Sequence, residues 1–261
     1  MGNQEKLKKI YELMFGELKS ISIGDNFIKE INTRRVTEFD KNKPDSFFYE
    51  KLVATIQVGG MRVSTLRGRW DDIKKAFLNY DVGAVGRFTD SDLGKMMENP
   101  RIIRNQRKLR ACVENARIME QISRENGSFG NYLDKYRNNP DDLAGILTSK
   151  FHFLGKVLVL NYLKEIGIDA IKPDVHVVRV MYRLGLIDSE DESLENINKV
   201  IAVAKEMAGV IGEKLNVVDA IFWMYGGSGD NHVKKAICSK KKPLCGECPV
   251  KSYCIHKIEQ N

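Results

Sequence analysis

Long apolar runs are missing from this chain: no stretch approaches the roughly 20 residues that a membrane-spanning helix needs. Strand-like alternation is sparse, and there is no internal repeat and no low-complexity tract, which leaves helices to build the core. Prolines number only six, and none interrupts a helical period. Pro44, Pro100, Pro140 and Pro173 stand at the openings of apolar-periodic segments, where proline is tolerated. The N-terminal MGNQEKLKKIYELMF lacks the apolar core of a signal peptide and reads as a charged amphipathic helix. The expected compartment is therefore the cytoplasm, nucleoid-associated in a prokaryote, where thiols stay reduced.

What is present is a soluble composition with an uneven charge. The 261 residues are 43% apolar and 30% charged, enough for one large domain or two interleaved ones with a real core. The formal net charge is +7, and it is concentrated. Residues 230–261 carry seven lysines against three acids, and residues 101–117 (RIIRNQRKLRACVENAR) carry five arginines and one lysine against Glu114. Such excess suits a polyanion such as nucleic acid, and equally a solvated helix face.

Apolar spacing predicts helices near 3–19, 46–58, 62–79, 89–98, 103–124, 128–137, 141–150, 155–166, 173–184, 192–209 and 214–225, with residues 20–44 irregular. The fold class is all-α. Leu109, Cys112, Val113, Ala116 and Met119 make one stripe, which puts Cys112 in the core and turns Arg107, Lys108, Arg110 and Arg117 toward solvent. Leu194, Ile197, Ile201, Ala204, Ala208 and Ile211 make another.

Four of the five cysteines lie in CSKKKPLCGECPVKSYC, residues 238–254. Cys238, Cys245, Cys248 and Cys254 are spaced C-x6-C-x2-C-x5-C. Four thiolates hold either zinc or a [4Fe–4S] cluster. Only Cys245 and Cys248 form the short knuckle usual for zinc, and the wide gaps suit a bulkier cubane; both metals remain open on spacing alone. The loop resembles the iron–sulfur loop of endonuclease III and of the adenine mismatch glycosylase, and VVDAIFWMYGG (217–227) resembles the helix that leads into it. That resemblance implies a [4Fe–4S] cluster stapling a loop that presents Lys240, Lys241 and Lys242 to DNA phosphates.

The same superfamily implies a helix-hairpin-helix followed by a catalytic aspartate. FHFLG, residues 151–155, resembles the F-x-F-x-G hairpin of 3-methyladenine DNA glycosylase I; compared with the commoner L-P-G-V-G it lacks the first glycine. A turn at a helix N-terminus offers unpaired amides to phosphate, so Phe153, Gly155 and Lys156 are expected against DNA. Asp174 in KPDVHVVR resembles the catalytic aspartate of the V-D-x-H segment of endonuclease III; read on its own it is a helix cap. Lys156 is ambiguous. Counted from Gly155, the superfamily's lyase lysine falls on Val157; counted back from Asp174, it falls on Lys156. The hairpin count is preferred, which makes Lys156 a phosphate contact and the enzyme monofunctional, with a lyase using Lys156 as the alternative.

IQVGGMRVSTLRGRW (56–70) and RIIRNQRKLRACVENAR also resemble 3-methyladenine DNA glycosylase I. This similarity places Gln57 at the gap that a flipped base leaves in a duplex. That family's base-reading glutamate and tryptophan are replaced here by Ala54 and Arg62, so its base pocket does not carry over. Phe47, Phe48, Tyr49, Trp70 and Trp223 are the aromatics that could stack on a base, most of them better suited to the core. The resulting expectation is a helix-hairpin-helix DNA glycosylase, monomeric, acting on double-stranded DNA with a damaged or modified base. One lobe is made of residues 1–44 and 166–261, with the cysteine loop, and a helical barrel of residues 45–165 ends in the hairpin (142–166). DNA is expected in the cleft between them. The other class in play is a non-catalytic DNA-binding protein with an iron–sulfur or zinc loop.

Overall fold

The computed structural model describes residues 2–61, 63–66, 68–227 and 231–255; Arg62 lies outside them. Among the described residues there are thirteen α-helices and no strand, only an isolated antiparallel bridge between Ser22 and Val233. No described helix is long and apolar enough to cross a membrane. The chain divides into two compact units, Met1–Thr37 with Asp169–Asn261, and Glu38–Ile168.

The first unit holds α1 (Asn3–Ser20), α2 (Asn26–Val36), α11 (Val175–Arg183), α12 (Leu194–Ile211) and α13 (Leu215–Gly226). α13 is its axis, packed by α1, α2, α11 and α12, and nearly every residue of it is buried. At its C-terminal end Gly226 lets α11 come close: a Cβ there would meet the carbonyl oxygen of His176 at 2.8 Å. α2 falls in a stretch expected to be irregular. Its core contribution is one i, i+4 pair, Phe27 and Ile31, too short a stripe to register as a period.

The second unit holds α3 (Asp45–Val58), α4 (Trp70–Ala76), α5 (Val82–Gly86), α6 (Asp90–Glu98), α7 (Gln106–Asn126), α8 (Phe129–Asp134), α9 (Pro140–Lys150) and α10 (Lys156–Glu165). α7 is its centre, with α3, α5, α6 and α8 around it. Its buried face includes Leu109, Cys112, Val113, Ala116 and Met119, the stripe read from the sequence. The helix expected over 62–79 is instead two 3-10 turns and the short α4. Gly68 takes a positive φ of 75°, and Leu78, Asn79 and Tyr80 are all left-handed, with φ of 48°, 55° and 63°.

The boundaries differ from 44/45 and 165/166 because residues 38–44 pack on the second unit. The Phe39 ring lies 6.0 Å from that of Phe48, and Lys41 Nζ reaches Asp134 Oδ2 at 3.2 Å. At the far end Gly167, with φ 90°, lies against the backbone of Glu38, where a Cβ would come within 2.5 Å of the carbonyl. Leu194, expected in the apolar stripe of α12, is 65% exposed, because it stands at the first position of that helix, before the packed turns begin.

Between α9 and α10 runs the turn Phe151–Gly155. Asn115, fully buried on α7, holds its backbone from both sides. Nδ2 donates to His152 O at 2.9 Å, and His152 N donates to Oδ1 at 2.7 Å. Replacing Asn115 by alanine removes two part-buried hydrogen bonds and leaves an amide unpaired, at about 1–1.5 kcal/mol for each bond. We expect Asn115→Ala to lower the unfolding free energy by roughly 2–3 kcal/mol in urea titration; a loss below about 0.5 kcal/mol would mean the turn holds itself.

Candidate active site and nucleic-acid interface

Asp174 follows Pro173 and caps α11. Its φ and ψ are −87° and 174°, and Oδ1 accepts from the amides of His176 (2.9 Å) and Val177 (3.2 Å). Both bonds fall on the same oxygen. Oδ2 faces Lys172 Nζ at 3.8 Å, and the carboxylate side chain is 14% exposed. The helix dipole favours negative charge here. The result is a carboxylate held rigid by two amides at one oxygen and faced by a lysine, not an amide, at the other. The cap and the chemistry expected from the sequence are therefore compatible: they use different oxygens.

The hairpin residues stand in the second unit. Phe153 takes the left-handed conformation, φ 59°, at the place where the commoner hairpin carries glycine. For a residue with a Cβ that costs roughly 1–2 kcal/mol. The residue is 37% exposed, and Lys108 Nζ lies 5.8 Å from its ring centroid. Gly155 is the N-cap of α10, and among the described residues no side-chain hydrogen bond caps that helix; the dipole at such a helix start favours an anion. Lys156 is the first residue of α10 and Val157 the second.

Two expectations are corrected. Gln57 is 1% exposed; its amide nitrogen lies 3.8 Å from Cys112 Sγ, and its Oε1 has no hydrogen-bond partner among the described residues. It sits in the last turn of α3 facing α7, so it is not presented to a duplex. Lys108, expected toward solvent, is 4% exposed. Its Nζ donates to Gln57 O and Gly59 O, both at 2.8 Å, closing the C-terminal end of α3. Burial pushes its ammonium below the usual lysine range. The sequence signal available was the run of orphan carbonyls at a helix end followed by Gly59-Gly60, which attracts a cation. Phe48 and Tyr49 are fully buried; Phe47, Trp70 and Trp223 are partly exposed. Cys112 is fully buried, and burial pushes its thiol up to about 12.

In the cysteine loop Lys240, Lys241 and Lys242 are exposed, and the four cysteines are partly buried. Arg183 of α11 donates from Nη1 to Cys238 Sγ (3.4 Å) and Ser239 O (2.9 Å), and from Nη2 to Lys240 O (3.3 Å). Arg179, 2% exposed, donates to Cys238 O at 3.2 Å and Gly226 O at 2.5 Å. Tyr225 Oη lies 3.1 Å from Cys248 Sγ. Burial pushes the thiols of Cys238 and Cys248 up, and the donors on each, Arg183 and Tyr225, pull them down. Among the described residues no group of three or more His, Cys, Asp or Glu side chains is arranged to hold a metal ion.

The methyladenine glycosylase family matches residues 39–148. The DNA-3-methyladenine glycosylase of Haemophilus influenzae is 26% identical over 102 residues, 39% of this chain and 53% of that protein. The chain thus spans about half the length of the curated relative it matches. The 8-oxoguanine DNA glycosylase of Thermotoga maritima superposes with a TM-score of 0.59 at 16% identity, over 87% of this chain and 100% of that one. The 8-oxoguanine glycosylase/lyase of Methanocaldococcus jannaschii, solved with a 15-mer DNA containing 8-oxoguanine, gives 0.57 at 18% identity, over 82% of this chain and 95% of that one. The fold is similar to that of these two 8-oxoguanine DNA glycosylases.

The geometry of Asp174 generates a stability prediction independent of any reaction. Asparagine supplies the same Oδ1, so Asp174→Asn should unfold within about 0.5 kcal/mol of the parent, while Asp174→Ala should lose about 1 kcal/mol. Equal losses in the two variants, measured by thermal unfolding, would show that the charge rather than the cap stabilises α11.

Proposed function

We propose that this chain is a DNA glycosylase that flips a damaged or modified base out of double-stranded DNA and hydrolyses its N-glycosidic bond. The single observation that carries the reading is Asp174, a largely buried carboxylate fixed by two amides through one oxygen and faced at the other by Lys172 rather than by an amide. Breaking an N-glycosidic bond builds positive charge on the sugar, as in glycoside hydrolysis. In this reading Oδ2 stabilises that charge and orients or deprotonates the attacking water. Before this the base must leave the stack, at a cost of a few kcal/mol that is lowest for a damaged or mismatched pair.

The hairpin supplies grip. The amides at the start of α10 and the side chain of Lys156 suit phosphates, and Lys240–Lys242 add positive charge that falls off with salt. The shared fold with 8-oxoguanine glycosylases and the family match over residues 39–148 support the reaction class. The base itself stays unassigned, because Ala54 stands where the methyladenine enzymes have their glutamate.

The four loop cysteines are proposed to hold a [4Fe–4S] cluster. Their chemistry fits: four thiols in one loop, two of them met by buried donors from α11 and α13 that stabilise thiolate sulfur, at spacings wider than one ion needs. Bound there, a cluster supplies a rigid staple. What this chain's own residues do is hold the loop in place: Arg179 and Arg183 tie its backbone carbonyls to α11.

Three measurements test this. A panel of duplexes, each with one modified base, should show base release from at least one member, with strand breaks only after alkali; no release from any member would sink the glycosylase reading. Borohydride should trap no covalent adduct, because Val157 rather than a lysine follows Lys156 at the position two beyond Gly155. A trapped complex that disappears in Lys156→Ala would make the enzyme a glycosylase/lyase instead. Anaerobically purified protein should carry about four irons per chain and absorb broadly in the visible; stoichiometric zinc without iron would replace the cluster by a zinc staple.

A further inference from the structure

We propose that Asp219 is a positioning residue for Asp174, an inference that rests on the glycosylase reading. Asp219 lies on α13 and is 2% exposed. Its Oδ1 accepts the backbone amide of Lys172 at 2.8 Å. Its Oδ2 lies 3.3 Å from Arg34 Nη1. Arg34 is in turn held by Glu30 Oε1 at 2.7 Å and Asn216 Oδ1 at 2.5 Å. A buried carboxylate is costly unless it is paired and hydrogen-bonded, and this one is both.

What it grips is the turn that delivers Asp174. Pro173 has no N–H, so Lys172 N is the last amide donor before Asp174. The carbonyl of the same Lys172 accepts Asp174 N at 2.7 Å, across Pro173. The peptide groups on both sides of Lys172 are thus fixed, one to α13 and one to the cap residue. A second tether lies upstream, where the Asp169 carboxylate accepts the amides of Leu215 (3.1 Å) and Asn216 (3.0 Å) at the start of α13. Asp169 anchors α13 as an ordinary helix cap does. Asp219 acts two residues from the reactive carboxylate and sets where its Oδ2 stands. A displacement of about 1 Å at a reacting group can cost on the order of 100-fold in rate.

The test compares three substitutions on whichever panel duplex the wild-type chain cleaves fastest, in single turnover at saturating enzyme. Asp219→Asn keeps an oxygen for Lys172 N and should stay within about threefold of wild type. Asp219→Leu removes the acceptor at similar volume and should slow base release by roughly 10- to 100-fold, with duplex affinity unchanged within about twofold. Asp219→Ser, too short to reach Lys172, should show the same loss and serves if the leucine variant does not fold. In an Asp174→Asn background none of the three should slow release further, because the displaced group is already disabled. A wild-type rate in Asp219→Ser or Asp219→Leu, or an undiminished loss in the Asp174→Asn background, would overturn the proposal and leave Asp219 a structural pairing. An Asp174→Asn chain that itself releases base at the wild-type rate would leave Asp174 a helix cap and remove this inference with it, whereas a panel with no cleaved duplex would remove the glycosylase reading itself.

Discussion

One carboxylate sets the terms for the rest. Asp174 ends an irregular segment and begins α11, and it does so with both amide bonds on a single oxygen. Had the two bonds been split between the oxygens, the group would be a cap and nothing more. With one oxygen spent, the other is held at a fixed point near a helix N-terminus, where a negative charge is favoured without being neutralised by an amide. Electrostatic catalysis asks for that: a charge that does not have to reorganise when the cation forms.

Four buried side chains with matched hydrogen bonds, Asn115, Lys108, Arg179 and Arg183, fix the irregular backbone between the helices. Asn115 clasps the hairpin, Lys108 closes α3, and Arg179 with Arg183 ties α11 to the cysteine loop. Each bond is a modest net contribution, about 1 kcal/mol, but an unmatched partner would cost more than the bond contributes. These residues therefore act as specifiers of turn geometry more than as sources of stability. Phe153 shows the scale of what they hold: a left-handed aromatic at the hairpin, which only an over-determined backbone keeps in place.

Much of this was legible in the sequence, and unevenly. The long helices were visible because α7 and α12 bury wide stripes at spacings of three and four. α2 was not, since Phe27 and Ile31 are its whole buried face. The segment 62–79 read as helix because its apolar residues recur at helical spacing, while three consecutive left-handed residues have no signature when none of them is glycine. At the site, Asp174 and the hairpin could be placed from their motifs. The burial of Gln57 could not, because it depends on α3 ending against α7, and Gly59-Gly60 signals a cation at the end of α3 without telling which side chain supplies it. Asp219 was likewise hidden: within VVDAIFWMYGG it looks like a lone charge on an apolar helix, and its partners lie 47 residues before it in Lys172 and 185 before it in Arg34.

In this reading the Asp174 oxygen that no amide holds does chemistry while the amide-bound one does structure. The most direct measurement is single-turnover base release by wild type and Asp174→Asn on a cleavable duplex, at equal occupancy and with both proteins shown to be folded. The account predicts a loss of roughly 100-fold or more, with duplex affinity unchanged or slightly higher because a negative charge near phosphates is gone. Equal rates in the two proteins would contradict it and leave Asp174 a helix cap.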